Sequence, residues 1–153
     1  MTNDEIDTLP AGAEMDKLVH EMVFGRRAEF RAGSPIGRKL DPDGTWATVY
    51  GQDYYFDPDD TTLYLHATDG FTGMIPNYST RIVDAWRVAE KLKSLHIAIC
   101  ISESEDGWSV EAYSDKDTPS YWCLISESDG NISLSLCRAA LKAINHVPNT
   151  QAQ

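Results

Sequence analysis

Three stretches of β-forming residues follow one another between residues 97 and 125, joined by connections too short for a crossover, with a helical pattern on either side. Parallel strands need a dozen or more connecting residues, so these strands are expected to pair as an antiparallel meander. The first is Ile97-Ala98-Ile99-Cys100-Ile101, closed by the turn Glu105-Asp106-Gly107. Trp108 to Tyr113 alternates apolar and polar residues, as a half-buried strand does. After the loop 115–119, Tyr121-Trp122-Cys123-Leu124-Ile125 forms the third strand, ended by Ser128-Asp129-Gly130. The near-continuous apolar run around Cys100 predicts a strand covered on both faces.

The flanking helices carry their own signals. Ser79 or Thr80 is placed to cap a helix running to Leu95, with Ile82, Ala85, Trp86, Ala89 and Leu92 as its apolar stripe and Trp86 in the core. Ser133 is placed to cap the last helix, with Leu136, Cys137, Ala140, Leu141 and Ile144 inward. At the N-terminus Thr2-Asn3-Asp4-Glu5 fits a capping box. Met15, Leu18, Val19, Met22 and Val23 then follow helical spacing up to Gly25. The expected class is α+β: a helix/antiparallel sheet/helix sandwich in a single domain over 1–147, with a polar tail at 148–153.

Residues 26–77 break the pattern and read as an inserted variable region, loop or hairpin. Gly33, Ser34, Pro35 and Gly37 predict loop. Thr45 to Tyr50 and Tyr54-Tyr55-Phe56 predict a hairpin turning at Gly51-Gln52-Asp53, and Leu63 to His66 a further short strand.

Charge narrows the function classes. The chain has 24 Asp and Glu against 13 Lys and Arg, a formal net charge of −11. That argues against direct nucleic-acid binding and against docking on anionic membranes, and favours a solubilised chain or one with a basic partner. The N-terminal residues have no basic and apolar signal pattern, and no apolar run approaches the ~20 residues of a membrane span. Cys100, Cys123 and Cys137 lack metal or redox spacing and read as reduced, small core residues of a cytoplasmic protein.

No catalytic residue is nominated, because no Gly-rich phosphate loop, nucleophile elbow or paired acid and base stands out. His20, His66, His96 and His146 are scattered, so no metal site and no cofactor is expected. Two candidate ligand sites remain. Arg26, Arg27, Arg31, Arg38 and Lys39 concentrate positive charge ahead of Trp46, Tyr50, Tyr54 and Tyr55; guanidinium forks and aromatic rings suit a small phosphorylated ligand such as a nucleotide. Tyr78, Ser79 and Thr80 sit at a predicted helix N-terminus, where free N–H groups favour an anion. Asp41, Asp43, Asp53, Asp57, Asp59 and Asp60 supply a third reading, an acidic face that mimics DNA.

Three blocks resemble a known family. Ile6-Asp7-Thr8-Leu9-Pro10-Ala11-Gly12 precedes Met15-Asp16-Lys17-Leu18-Val19; Pro76-Asn77-Tyr78-Ser79-Thr80 leads into Ala85-Trp86 and Glu90-Lys91-Leu92; Leu136-Cys137-Arg138-Ala139-Ala140-Leu141 lies on the last helix. With Gly107-Trp108 between them, they resemble the phage ABA-sandwich family over roughly 2–25 and 74–144. The resemblance implies a phage-encoded sandwich and no catalytic motif. The expectation is therefore a non-enzymatic accessory protein, acting in the host cytoplasm by engaging a host protein or sequestering a nucleotide signal in counter-defence; the alternative is a small enzyme whose site carries no recognisable motif. Homo-oligomerisation is compatible with this reading. The long segment 26–77 departs from the family pattern.

Overall fold

The computed structural model describes residues 1–32, 35–36, 39–40, 46–47, 55–56, 61–68, 73–105, 107–114 and 123–146. In chain order its elements are α1 (Asn3–Thr8), α2 (Ala13–Met22), β1 (Ala28–Ala32), β2 (Pro35–Ile36), β3 (Lys39–Leu40), β4 (Trp46–Ala47) and β5 (Tyr55–Phe56). There follow β6 (Leu63–Ala67), β7 (Gly73–Met74), α3 (Ile82–Ser94), β8 (Ile97–Ser104), β9 (Gly107–Ser114), β10 (Cys123–Asp129) and α4 (Ile132–His146). Helices and small antiparallel sheets make the class α+β, as the sequence predicts. The chain divides into two compact units, Met1–Phe24 with Pro76–Gln153, and Gly25–Ile75.

In the first unit β9 lies between β8 and β10, antiparallel to both. Register assigns the faces. Ile101 pairs with Val110 and Ile99 with Ala112, so Ile97, Ile99 and Ile101 share a face with the buried Val110 and Ala112. That face receives α4, which packs on β9 and β10, and α3, which packs on β8 and on α4. Ala98 and Cys100 point the other way and are exposed, so the apolar run of β8 is open on one face rather than covered on both. The small Ala and Cys side chains leave little apolar surface there to hide. Cys100 is thus not the core residue the sequence suggested, whereas Cys137 is fully buried.

The N-terminus is tied to α4. Thr2 and Glu5 close the expected capping box: the Thr2 N–H donates to Glu5 Oε2 at 2.6 Å and the Glu5 N–H donates to Thr2 Oγ1 at 3.2 Å. Ile6 is buried, α1 packs on α4, and the Arg138 guanidinium donates to the Leu9 carbonyl at 2.9 Å. Lys142 on α4 is buried between the carboxylates of Asp7 and of Glu127, the latter on the inner face of β10.

Both predicted caps fall elsewhere. The N-cap of α3 is Arg81, with no side-chain bond. Ser79 instead bridges to α2, because its N–H and hydroxyl meet Asp16 and Gly12. The α4 cap is Asn131, whose Oδ1 accepts the N–H groups of Ser133 and Leu134 at 3.0 and 3.2 Å, while Ser133 itself is buried. Between α3 and β8 the chain turns at His96, whose positive φ of 61° lets the strand follow the helix directly.

In the second unit β1 pairs with β6 and β6 with β7, all antiparallel. Leu65, His66 and Ile75 are buried. The turn of the expected hairpin, 51–53, lies outside the described residues; of its strands, Tyr55–Phe56 pairs with Pro35–Ile36 and Trp46–Ala47 with Lys39–Leu40. The described parts of both aromatic stretches thus pair backward, Tyr55–Phe56 onto the Gly- and Pro-rich segment that the sequence reads as loop.

Candidate partner-binding surface

Helix α3 is apolar over a wider arc than the body of the first unit covers. Ala85, Val88 and Leu92, at i, i+3 and i+7, are fully buried. Ile82, Trp86 and Ala89 form a neighbouring stripe that turns past the sheet edge. Trp86 is 55% exposed, Ile82 45% and Val83 67%, so Trp86 is a surface residue and not core. Helical periodicity reports the width of an apolar stripe but not which part a neighbour covers, and that is why the sequence misplaced Trp86.

The outer stripe overlooks β8, which has one neighbour among the described strands and is therefore an edge. Between helix and strand runs an open groove of about 820 Å³. It is lined by Ile82, Trp86, Ala89, Glu90 and Lys93 of α3, by Ile97, Ala98, Ile99 and Ile101 of β8, and by Ile132. Lys93 and Ile97 mark one end, Ile82 and Ile101 the other. The arrangement offers two complementary things at once: unpaired strand backbone, and an apolar trough for alternate side chains of a strand laid beside it. Sequence reasoning identified both elements yet missed their joint surface; the run Ile97–Ile101 without a charge, next to a helix with too many apolar positions, was the available signal.

The predicted anion site at Tyr78, Ser79 and Thr80 is laid out differently. Tyr78 is buried, stacks on Phe24 with ring centroids 5.2 Å apart, and shares a hydrogen bond with His20 Nδ1 at 3.2 Å. The Ser79 N–H donates to Asp16 Oδ1 at 2.7 Å, the Gly12 N–H donates to Ser79 Oγ at 2.8 Å, and Asn131 Nδ2 donates to the Ser79 carbonyl at 3.2 Å. The N–H groups of Tyr78, Thr80 and Arg81 donate to the carbonyls of Pro76 and Asn77. Asp16 therefore stands where an external anion was expected, and this corner joins α2, α3 and α4. Burial pushes the Asp16 carboxyl above its ordinary range, the bonds from Ser79 offset part of this, and nearby Asp84 adds to the rise.

Of the basic and aromatic candidates, Arg26, Arg27 and Arg31 are exposed on the second unit. Arg31 pairs in register with Tyr64, and Glu29 with the buried His66, which places a carboxylate between Arg27 and Arg31 on one face of the strand. Lys39, Trp46 and Tyr55 lie in the short ladders, described at the backbone. Arg38 and Tyr54 lie outside the described residues, as do Asp41, Asp43, Asp53, Asp57, Asp59 and Asp60 of the DNA-mimic reading. Among the described residues no group of three His, Cys, Asp or Glu is placed to hold a metal, and no helix is long and apolar enough to cross a membrane.

The profile of the phage ABA sandwich domain family matches residues 46–141. The match reaches back to 46, into the segment that the sequence set apart as an insertion, and begins after the N-terminal block. A phage protein from Bacillus cereus, known from a crystal structure, is similar at 15% identity, covering 90% of this chain and 94% of its own, with a TM-score of 0.49. No curated protein matches.

Proposed function

The chain belongs to the phage ABA sandwich domain family, and from that premise we propose that it is an accessory protein that acts by binding a host protein at the groove between α3 and β8. The observation that carries this reading is the exposed Trp86 beside an edge strand. An extended segment of the partner adds to β8 through backbone hydrogen bonds, and every second side chain enters the apolar groove. Trp86 is the anchor, since a large ring covered at the centre of an interface contributes about 2 kcal/mol or more, some 30-fold in affinity. The net charge of −11 favours a basic partner and speeds its approach. Countering a host defence is the role that such binding would serve in a phage.

The test is capture from host extract with wild type, Trp86→Glu and Ile82→Glu, then reconstitution of the captured protein with purified wild type. A single host protein that binds wild type directly, and binds both variants at least tenfold more weakly, supports the reading. Equal capture by all three sinks it.

A further inference from the structure

The same groove poses a problem for the free protein. β8 carries no charge and no proline from Ile97 to Ser102, so along that stretch nothing discourages another strand from pairing with its edge. Before a host partner is met, something else has to cover it.

The flanking charges indicate what does. Lys91 and Lys93, in the last turn of α3, precede the strand and outnumber the one acid beside them, Glu90, while Glu103 and Glu105 end it. Arg81, near the acidic end, is engaged with Asp84 at 3.9 Å. A strand that is basic at its start and acidic at its finish complements itself when laid antiparallel, and opposes like charges when laid parallel. We propose that, in the free protein, the edge is closed by β8 of a second copy, antiparallel about a two-fold axis at Cys100, and that the host partner binds by displacing it. The displacement step rests on the function proposed above; the self-pairing does not.

The charges set the antiparallel sense, and an axis at Cys100 centres the pairing on β8. With Cys100 on the axis, Ile97 lies opposite the partner's Glu103, and each Lys93 lies near the other chain's acidic end. Ile99 faces the partner's Ile101. The two three-stranded sheets become one of six strands, and the Trp86 stripes of the two α3 helices cover each other's grooves. Such an interface is isologous, so it closes at two copies and does not propagate into a fibre.

Light scattering during size exclusion tests this directly. The wild type is expected at twice the 17.1 kDa chain mass. Glu103→Lys places like charges at both ends of the pairing and is expected to weaken the dimer on the order of tenfold or more. Adding Lys93→Glu to it restores complementarity and the dimer. A short bismaleimide is expected to join two chains through Cys100, and Cys100→Ser to abolish the product, because opposed residues on paired strands have Cβ atoms about 5 Å apart. A wild type that stays monomeric at all concentrations overturns the proposal, as does a dimer indifferent to both charge changes. The two ideas separate cleanly. Trp86-dependent capture of a host protein by an always-monomeric chain upholds the function and removes the dimer; a charge-sensitive dimer that captures nothing does the reverse.

Discussion

The Asp16 carboxylate accepts the Ser79 backbone N–H across 2.7 Å, joining α2 to the start of α3 over 63 residues of chain. Burial raises the Asp16 carboxyl pKa even though this bond opposes the rise. A carboxyl raised on folding adds stability below its unfolded value of about 3.8 and loses that contribution as pH climbs through its folded value. Asp16→Asn keeps an oxygen for the Ser79 N–H and has no charge to desolvate. Its stability at pH 7 is therefore expected to equal or exceed that of wild type, and urea melts from pH 7 down to pH 4 should show wild type gaining on the variant. Asp16→Ala leaves the N–H unsatisfied and should cost about 1–3 kcal/mol.

Lys142 offers a sharper energetic test. Burial alone would lower its pKa, but hydrogen bonds to the Asp7 and Glu127 carboxylates outweigh burial and hold it above the ordinary value. Lys142→Met strands the Glu127 carboxylate in the interior and is expected to cost about 3–5 kcal/mol. The double variant Lys142→Met/Glu127→Leu removes both charges and should recover most of that loss in chemical denaturation. No recovery would mean that Lys142 acts through its partly exposed Asp7 contact instead.

Gly107 opens β9 at a φ of +124°, and a Cβ there would lie 2.8 Å from the Asp129 carbonyl oxygen on β10. Gly107→Ala meets a strained backbone and a fixed neighbour together. A loss of about 1–3 kcal/mol is expected in thermal or urea melts.

The elements of the first unit were legible because their signals are local. Thr2 and Glu5 sit at capping-box spacing, and Trp108 to Tyr113 alternates with strand period. What could not be read was which group answers which over distance. Ser79 looks like a cap in sequence, yet it serves α2, 63 residues upstream, and Asn131 takes the capping role at α4. Trp86 and Cys100 are apolar at correct periodic positions but fall where neighbouring elements stop. The groove was missed for the same reason: it belongs to α3 and β8 jointly, and neither segment reveals alone that the sheet ends there. In 26–77, β4 and β5 are legible from their β-formers, but Pro35–Ile36 sits among turn-forming Gly, Ser and Pro, and Lys39–Leu40 is too short to carry a strand pattern.

The two described thiols should differ in reactivity. Cys100 is exposed, whereas burial pushes the Cys137 thiol far up and nearby Asp16 adds to the shift. An aromatic disulfide reagent should modify Cys100 in the native protein within minutes and reach Cys137 on unfolding. Modification of Cys137 at the native rate of Cys100 would mean that the α2–α4 contact opens readily.

Helix α3 allows the surface and the core to be separated within one element. Leu92 is fully buried on the inner stripe, while Trp86 overlooks the groove. Leu92→Ala removes packed methyl groups and leaves a cavity, so it is expected to cost about 2–5 kcal/mol. Trp86→Ala deletes a larger side chain, yet most of its surface already meets water; its cost in the monomer should stay below about 1 kcal/mol. The comparison needs a monomeric background, and Glu103→Lys is chosen to supply one. In that background, urea melts should rank Leu92→Ala far below Trp86→Ala. A Trp86→Ala loss equal to that of Leu92→Ala would place the ring in the core and remove the anchor from the groove.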